Sequence, residues 1–390
     1  MEKYCIGIDV DKETIKVCLM YRASDLSKKV KGSKTFPNSL AGFKVLTAWL
    51  EKRIKINNID MSFVMEATGV YHEQLAYYLD QQKKDIHIVL ALKSKRYLQS
   101  LGLRSKTDQI DAKGLAMMGC EQSLDLWQPA SKQMLKLRSV TRQIEALKCS
   151  KTSFSNQLEA AKHTVIIDSS VTKCIEMMIK KLEQEIKKLE KSVKKTVETD
   201  ELLSEKFKLY KPLKGVGLMT FAVIASETNG FTLFKNQRQL VCYVGYDIVE
   251  NQSGKRVGKT KISKKGNTHI RRILHMASLT AVNHGVPVLK NLQERVFKRR
   301  GIKMKGYVAV QRKLLVLMYS LWKNDAVFDP DYKTSGIQEP KSLCSVGSLE
   351  PFTLSKSIIT RKETKTAESL DSAALDELPC NQSPEALCSV

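Results

Sequence analysis

Four carboxylates in the first third of the chain stand where an oxygen-ligand metal site would need them. Asp9 closes an apolar run, Tyr4–Val10, and Glu66 follows a second, Met61–Met65, directly ahead of Ala-Thr-Gly. Both runs read as strands, so both acids sit at strand ends. Asp108 and Asp111, in KTDQIDA, are three residues apart, and a helix there sets both on one face. Mg²⁺ takes carboxylate and water oxygens, and paired ions about 3.5–4 Å apart clamp both sides of a phosphodiester displacement. Taken singly, each acid has an ordinary role. Asp108 serves the positive end of a helix, and Asp9 is a turn residue, with Asp11 an equal candidate for the ligand. Taken as two strand ends and a helix pair, they point to a metal.

A second group is Asn251-Gln252-Ser253-Gly254-Lys255-Arg256, a hydroxyl in a basic loop. Of the eighteen residues from Lys255 to Arg272, eight are basic (Lys255, Arg256, Lys259, Lys261, Lys264, Lys265, Arg271 and Arg272) and none is acidic. Such a run neutralises several phosphates and makes affinity fall steeply with salt. Beside Lys255 and Arg256, Ser253 is a candidate nucleophile toward phosphorus, although a Ser-Gly in a basic loop is more often a simple phosphate contact. Upstream, Lys214, Gly215 and Gly217 precede an apolar helix. A Gly-x-Gly turn there lets backbone N–H groups meet a phosphate at the positive end of the helix, though the same turn is common without a ligand.

The whole-chain arithmetic agrees with a polyanionic partner. Lys and Arg number 65 against 41 Asp and Glu, a net charge of +24 over 390 residues. From Asp331 onward six basic and nine acidic residues give −3, which leaves +27 on residues 1–330. A 42% hydrophobic content builds real cores and excludes wholesale disorder. A body so charged is expected to meet nucleic acid. The opening MEKYCIGIDV lacks a basic segment followed by an apolar one, and no apolar run nears the roughly 20 residues of a membrane span. Nine scattered cysteines include no CxxC pair, so the chain is expected to be cytoplasmic, reduced and without structural zinc.

The elements that must position these groups follow from patterning. Strand signals at Tyr4–Val10, Thr14–Tyr21 and Lys31–Phe36 precede a helix over Leu40–Arg53. The short strand Met61–Met65, a helix from Val70 to about Gln81, a strand over Ile86–Leu92 and helical stretches come next, the last of them beginning near Thr107. Three strands, a helix, then alternation is the order of an α/β ribonuclease-H-like fold. Beyond Trp127–Pro129, apolar residues at Leu137, Val140, Ile144 and Leu147, and at Ile175, Ile179, Leu182, Ile186, Leu189 and Val193, form heptad seams. They predict a coiled coil or a helical hairpin. The Leu213–Gly230 stretch predicts a helix-hairpin-helix element, followed by short helices near Gln237–Tyr246, His269–His284 and Val308–Lys323. The expected domains are 1–126, 127–206 and 207–328, with a disordered tail over 329–390.

These residues carry a family resemblance. GIDV at Gly7–Val10, MEATGVY at Met65–Tyr71 and KTDQIDAKGLA at Lys106–Ala116 resemble the DEDD-type transposases related to the Piv DNA invertase, the insertion-sequence one-hundred-and-ten family. LKGVGLMTFAVIASE, FKNQRQLVCYVGY, NQSGKRVGKTKISKKGNTHIRR and VAVQRKLLVLMYSLW follow in the family's order, so the likeness runs from Tyr4 to Lys323. It implies a RuvC-like N-terminal domain, a coiled-coil dimerisation segment and a mostly α C-terminal transposase domain. It also implies that Asp9, Glu66, Asp108 and Asp111 hold Mg²⁺ and that Ser253 attacks DNA to form a covalent phosphoserine link. A structured bridge RNA that pairs with donor and target DNA, and dimers joined into a tetramer, are implied as partners. The chain departs from the family pattern at Tyr246 and Ile248, where Leu and Pro are expected, and its tail after Asp331 has no counterpart. The expected function is a transposase or DNA recombinase. The alternatives are a Holliday-junction-type endonuclease, separated by the lack of a covalent adduct, and a non-catalytic nucleic-acid scaffold, separated by the lack of metal-dependent cleavage.

Overall fold

The structure, a computed structural model, describes residues 2–54, 60–67, 69–102, 107–254, 256–258, 260–284 and 286–329. Thr68, Lys106, Lys255, Lys259 and the expected tail from residue 330 onward lie outside the described residues. Five strands form one mixed sheet: β1 (Lys3–Val10), β2 (Thr14–Arg22), β3 (Lys28–Pro37), β4 (Asp60–Glu66) and β5 (Asp85–Val89). Their order is β3-β2-β1-β4-β5, with β1, β4 and β5 parallel and β2 and β3 antiparallel to their neighbours. This is the mixed α/β arrangement that the strand order in the sequence predicts.

The near-continuous apolar run of β1 reflects burial on both faces. On one face Tyr4, Ile6, Ile8 and Val10 join Phe43, Leu46 and Leu50 of α1 (Leu40–Arg53) and Leu75, Ala76 and Leu79 of α2 (Glu73–Gln81). The other face lies beneath α4 (Asp108–Glu121), with α3 (Ala91–Ser100) alongside. There Cys5, Cys18 and Met20 pack against Ala112, Ala116 and Cys120. Small residues make this contact possible. A Cβ on Gly7 would stand 2.1 Å from the Ala112 carbonyl oxygen and 2.2 Å from the Ala116 nitrogen, and one on Gly119 would stand 2.7 Å from a Val64 methyl.

The remainder is mostly helical. Helices α5 (Lys132–Lys162) and α6 (Ser169–Thr199) pack antiparallel, since Lys148 pairs with Glu190 and Lys151 with Glu183, each at 2.7 Å. Next come α7 (Glu201–Tyr210), α8 (Leu218–Thr228), α9 (Gln237–Val244), α10 (Thr268–Asn283), α11 (Pro287–Arg300) and α12 (Lys303–Asn324). Leu137, Ile144, Ile186 and Val193 of the long helices share one core with Phe221, Phe231, Leu274, Leu314 and Trp322. One ion pair binds this assembly from inside. Glu227, 1% exposed at the end of α8, accepts from Arg142 Nε at 2.7 Å and Nη2 at 2.9 Å, and from Asn267 Nδ2 at 2.7 Å. Burial pushes its carboxyl up, but these hydrogen bonds outweigh burial and hold it below the ordinary range.

Three sequence expectations are corrected. The strand expected over Ile86–Leu92 stops at Val89, and Leu90 becomes the N-cap of α3. An unbroken apolar run hides that change of element. Helix α2 starts at Glu73 rather than Val70, because Gly69 takes a left-handed φ of +53°. Helices α7 and α11 were not anticipated, although α11 carries Pro287 in its first turn and Gly301 at φ +69° just past its end, an ordinary pair of boundary signals.

Replacing Gly7 with Ala should destabilise the protein by roughly 1–3 kcal/mol or more, because the obstacle is backbone. Gly217→Ala, whose added Cβ meets nothing within 4 Å, should cost only the preference of an N-cap for glycine over alanine, about 1 kcal/mol or less. Urea unfolding of the two variants checks the contrast.

Candidate active site

Strand alternation explains why the acids lie toward one side of the sheet. Cys5, Gly7 and Asp9 point to the α4 side of β1, while the residues between them enter the opposite core. On β4, Val64 packs under α4 with Leu115 and Met118, so Glu66, two residues on, faces the same way. Since Ile8 is in register with Met65, Asp9 and Glu66 end neighbouring parallel strands. Cys5 and Cys120 pack together at one end, and Gly7 lies under Ala112 and Ala116. Helix α4 therefore runs against β1, and its first turn arrives over Asp9. That turn holds Asp108 and Asp111, and Thr107 caps it by accepting from Ile110 N at 3.3 Å.

The electrostatics report the convergence. Burial pushes the Asp9 carboxyl above the ordinary carboxylate range, and the charges of Asp111, Glu66 and Asp11 push the same way against Lys16. Two residues here escaped the sequence reading. Lys16 lies across from Asp9 in the β1–β2 register and forms an ion pair with Asp108. Hairpin counting from Asp9 would have found it. The buried Ser94 of α3 donates to Glu66 Oε2 at 2.5 Å, and no pattern in the sequence marks it. Asp11 is an exposed turn residue whose N–H bonds Thr14 O, whereas Asp9 is half-buried and feels the charges of Asp111 and Glu66.

The donor set is all oxygen, which suits Mg²⁺. Mutual repulsion at Asp9 is the charge surplus that a divalent cation relieves, so the residues fit such an ion in chemistry. As placed, no three His, Cys, Asp or Glu among the described residues converge closely enough to wrap one ion. Asp108 is held by Lys16 instead.

Ser253 lies at the far end of a different construction. Strands β6 (Ile248–Val249), β7 (Gln252–Ser253), β8 (Arg256–Val257) and β9 (Lys261–Ile262) form one ribbon. β6 pairs with β9 at its base and β7 with β8 at its tip, with Gly258 N bonded to Asn251 O at 2.7 Å between them. Ser253 is exposed, in register with Arg256, and followed by Gly254 at φ +54°. A left-handed glycine closes such a tight turn without strain. The ribbon was not expected from the sequence, since two-residue polar strands show no alternation. No contact between described residues joins Ser253 to Asp9, Glu66, Asp108 or Asp111.

The remaining basic positions divide. Lys214, Lys261, Lys264 and Lys265 are exposed and make no ion pair among the described residues. Arg271 instead donates to the carbonyls of Val244 and Asn267, and Arg272 pairs with Glu145 of α5 at 2.6 Å, so both hold α10 to its neighbours. Gly215, at φ +98°, is required by packing, because a Cβ would meet the Ala277 carbonyl oxygen at 2.5 Å. Gly217 caps α8 in open space. Tyr246, where the resemblance implies Leu, is fully buried, and its hydroxyl donates to Gln311 Oε1 at 2.9 Å. Ile248, where it implies Pro, pairs with Ile262 at the ribbon's base.

Comparison with known proteins gives concordant matches. A family model described as "Transposase", of the DEDD IS110 type, matches residues 6–166, and one described as "Transposase IS116/IS110/IS902 family" matches residues 208–294. The chain is 26% identical over 330 residues to the pilin gene-inverting proteins of Moraxella bovis and of Moraxella lacunata, covering 84% of this chain and 98% of each relative. Among solved structures, Thermus thermophilus RuvC in complex with a Holliday junction substrate aligns at 10% identity over 33% of this chain and all of that chain, with a TM-score of 0.24. No helix among the described residues is long and apolar enough to cross a membrane.

The raised Asp9 carboxyl sets a sign for stability. The folded state takes up that proton more readily than the unfolded chain, so stability falls as pH rises from the ordinary carboxylate range through the raised value. In metal-free buffer Asp9→Asn should therefore melt above the unaltered protein at pH 7, with the gap closing toward pH 4. Calorimetry across that range checks it, and a variant melting lower at pH 7 contradicts it.

Proposed function

The chain belongs to the IS110 family of DEDD transposases related to the pilin gene-inverting proteins, and from that membership we propose that it is a DNA recombinase working through a covalent phosphoserine–DNA intermediate. The observation that carries the reading is the arrival of Asp9, Glu66, Asp108 and Asp111, from two strands and one helix, at the same edge of the sheet. When bound, Mg²⁺ supplies charge stabilisation at the reacting phosphate and lowers the pKa of an attacking hydroxyl.

The chain's own residues perform the rest. Exposed Lys261, Lys264 and Lys265 and the ribbon's Arg256 hold the DNA backbone. Ser253 Oγ attacks phosphorus in line, forming the Ser–O–P bond as the bond to one deoxyribose oxygen breaks. The serine proton leaves to solvent, and the departing oxygen takes one up. A deoxyribose hydroxyl of the partner strand then attacks the phosphoserine, expelling Ser253 and sealing the exchanged junction. The reaction needs no net hydrolysis, because the phosphodiester energy is kept in the protein–DNA bond.

Ser253 sits on an exposed ribbon, which suits delivery to the carboxylates of another subunit. Self-association through the α5–α6 seam, in dimers that pair into a tetramer, fits that arrangement. Target and donor choice is assigned to a bridge RNA, whose pairing reads sequence while the basic protein surface holds backbone and shape. The helix-hairpin-helix role of α7, Lys214, Gly217 and α8 is a non-specific phosphate contact, and the domain limits are 1–126, 127–206 and 207–328.

Covalent capture tests the reading. The protein is incubated with RNA transcribed from its element's flank, Mg²⁺ and labelled donor and target DNA, then denatured. Labelled DNA should remain on the protein, and Ser253→Ala or Asp111→Ala should reduce it at least ~100-fold. Cleavage without adduct, unchanged in Ser253→Ala, would identify a water-using junction nuclease. Binding with no cleavage under any condition would identify a scaffold.

A further inference from the structure

The hairpin formed by α11 and α12 carries a charge pattern that the serine ribbon does not account for. Between Lys290 and Lys313 stand nine basic residues and one acid, Glu294. All nine are exposed, and none forms an ion pair with a described carboxylate. On α6, by contrast, Lys181 and Lys188 pair with Glu185 and Lys194 with Glu198. The hairpin is also stiff. Leu289 and Gln293 of α11 are buried, and at the crossing with α12 a Cβ on Gly306 would stand 2.8 Å from the Gln293 carbonyl oxygen. The cations are thus held on the outer side of a rigid support. Asn291, Glu294, Arg295, Lys298 and Arg299 line one shallow depression along α11, three cations against one acid.

Rigid uncompensated charge favours a rigid polyanion. Helix α11, with 14 residues, is about 20 Å long, which spans several successive phosphates of a duplex. Single strands are held on exposed aromatic platforms, whereas Phe297 and Tyr307, the aromatics nearest the turn, are half-buried. The turn itself presents Ile302, 48% exposed, and Met304, 52% exposed, between Arg300, Lys303 and Lys305. Apolar tips flanked by cations enter the minor groove of B-form DNA and part base steps. The second family match ends at Glu294, so most of this surface lies outside it.

We propose that the outer face of α11 and the α11–α12 turn form a second nucleic-acid surface, separate from the serine ribbon, that grips duplex DNA by its backbone and seats Ile302 and Met304 in its minor groove. The inference rests on the proposed action on DNA, and it assigns to this hairpin the holding of duplex flanking the exchange site.

The test is binding without chemistry. The full chain carrying Ser253→Ala is titrated, in EDTA, into a labelled 40-base-pair DNA duplex, the matching RNA duplex and the single DNA strand, at several salt concentrations. Adding Arg295→Gln, Lys298→Gln and Arg299→Gln together should weaken DNA-duplex binding roughly tenfold or more at 0.1 M salt and make the log–log salt slope shallower by about 2.7, the share of three phosphate contacts. An independent pair, Lys303→Gln with Lys305→Gln, should make it shallower by about 1.8. Circular dichroism and melting should match the parent in both. An unchanged slope in both variants overturns the proposal, as does a loss larger on the RNA duplex or the single strand than on the DNA duplex. No bond is broken in this assay, so its failure leaves the covalent-capture result standing, and a failed capture leaves these slopes readable.

Discussion

Helix α4 lies on β1 because Gly7 has no side chain. The backbone of Ala112 and Ala116 occupies the space a Cβ would fill, and Gly119 admits the helix equally closely to Val64. That approach is more than packing. It fixes the direction and depth of α4, and with them the place of its first turn, where Asp108 and Asp111 stand over the ends of β1 and β4. A side chain at Gly7 would lift the helix and carry two of the four acids away from the other two. The GIDV motif thus couples a steric requirement at Gly7 to a chemical one at Asp9.

The acids so gathered are held against their own repulsion. Asp9 feels burial first and then the charges of Asp111 and Glu66. Lys16 opposes them from the neighbouring strand, Ser94 donates to Glu66, and the positive end of α4 favours the two acids in its first turn. Four acids toward one edge of the sheet, in a chain of net charge +24, run against the molecule's overall charge. The helical part is built on another principle. There, buried Glu227, with Arg142 and Asn267, ties α5 to α8 and to the start of α10, just beyond the foot of the serine ribbon. Breaking such a buried pair by removing one partner is strongly destabilising.

Much of this was legible in the residues. Asp9 and Glu66 could be placed because apolar runs mark strands and the acids end them, and Asp108 and Asp111 because three-residue spacing defines a helix face. The α/β class followed from the order of elements along the chain. What escaped reading shares a cause: it depends on contacts far apart in sequence or on elements too short to show a period. Ser94 reaches Glu66 from another helix. The four strands of the ribbon have two residues each. Arg271 and Arg272 look like phosphate ligands in a basic run, yet their partners are Val244, Asn267 and Glu145. Tyr246 breaks the family pattern but is absorbed by Gln311 on α12. Gly215 looks like a phosphate turn and is a helix contact.

The central claim is that the four acids form one divalent-cation site despite coming from three separate segments. Iron-directed cleavage tests it most directly. Fe²⁺ replaces Mg²⁺ in the metal-free protein, ascorbate and peroxide generate radicals at the bound ion, and the cut peptides are mapped by mass spectrometry. The account predicts cuts clustered near Asp9, near Glu66 and near Asp108–Asp111, all suppressed by excess Mg²⁺ and all lost together in Asp9→Asn. Cuts confined to one of these segments, or clustered elsewhere and insensitive to Asp9→Asn, would contradict it.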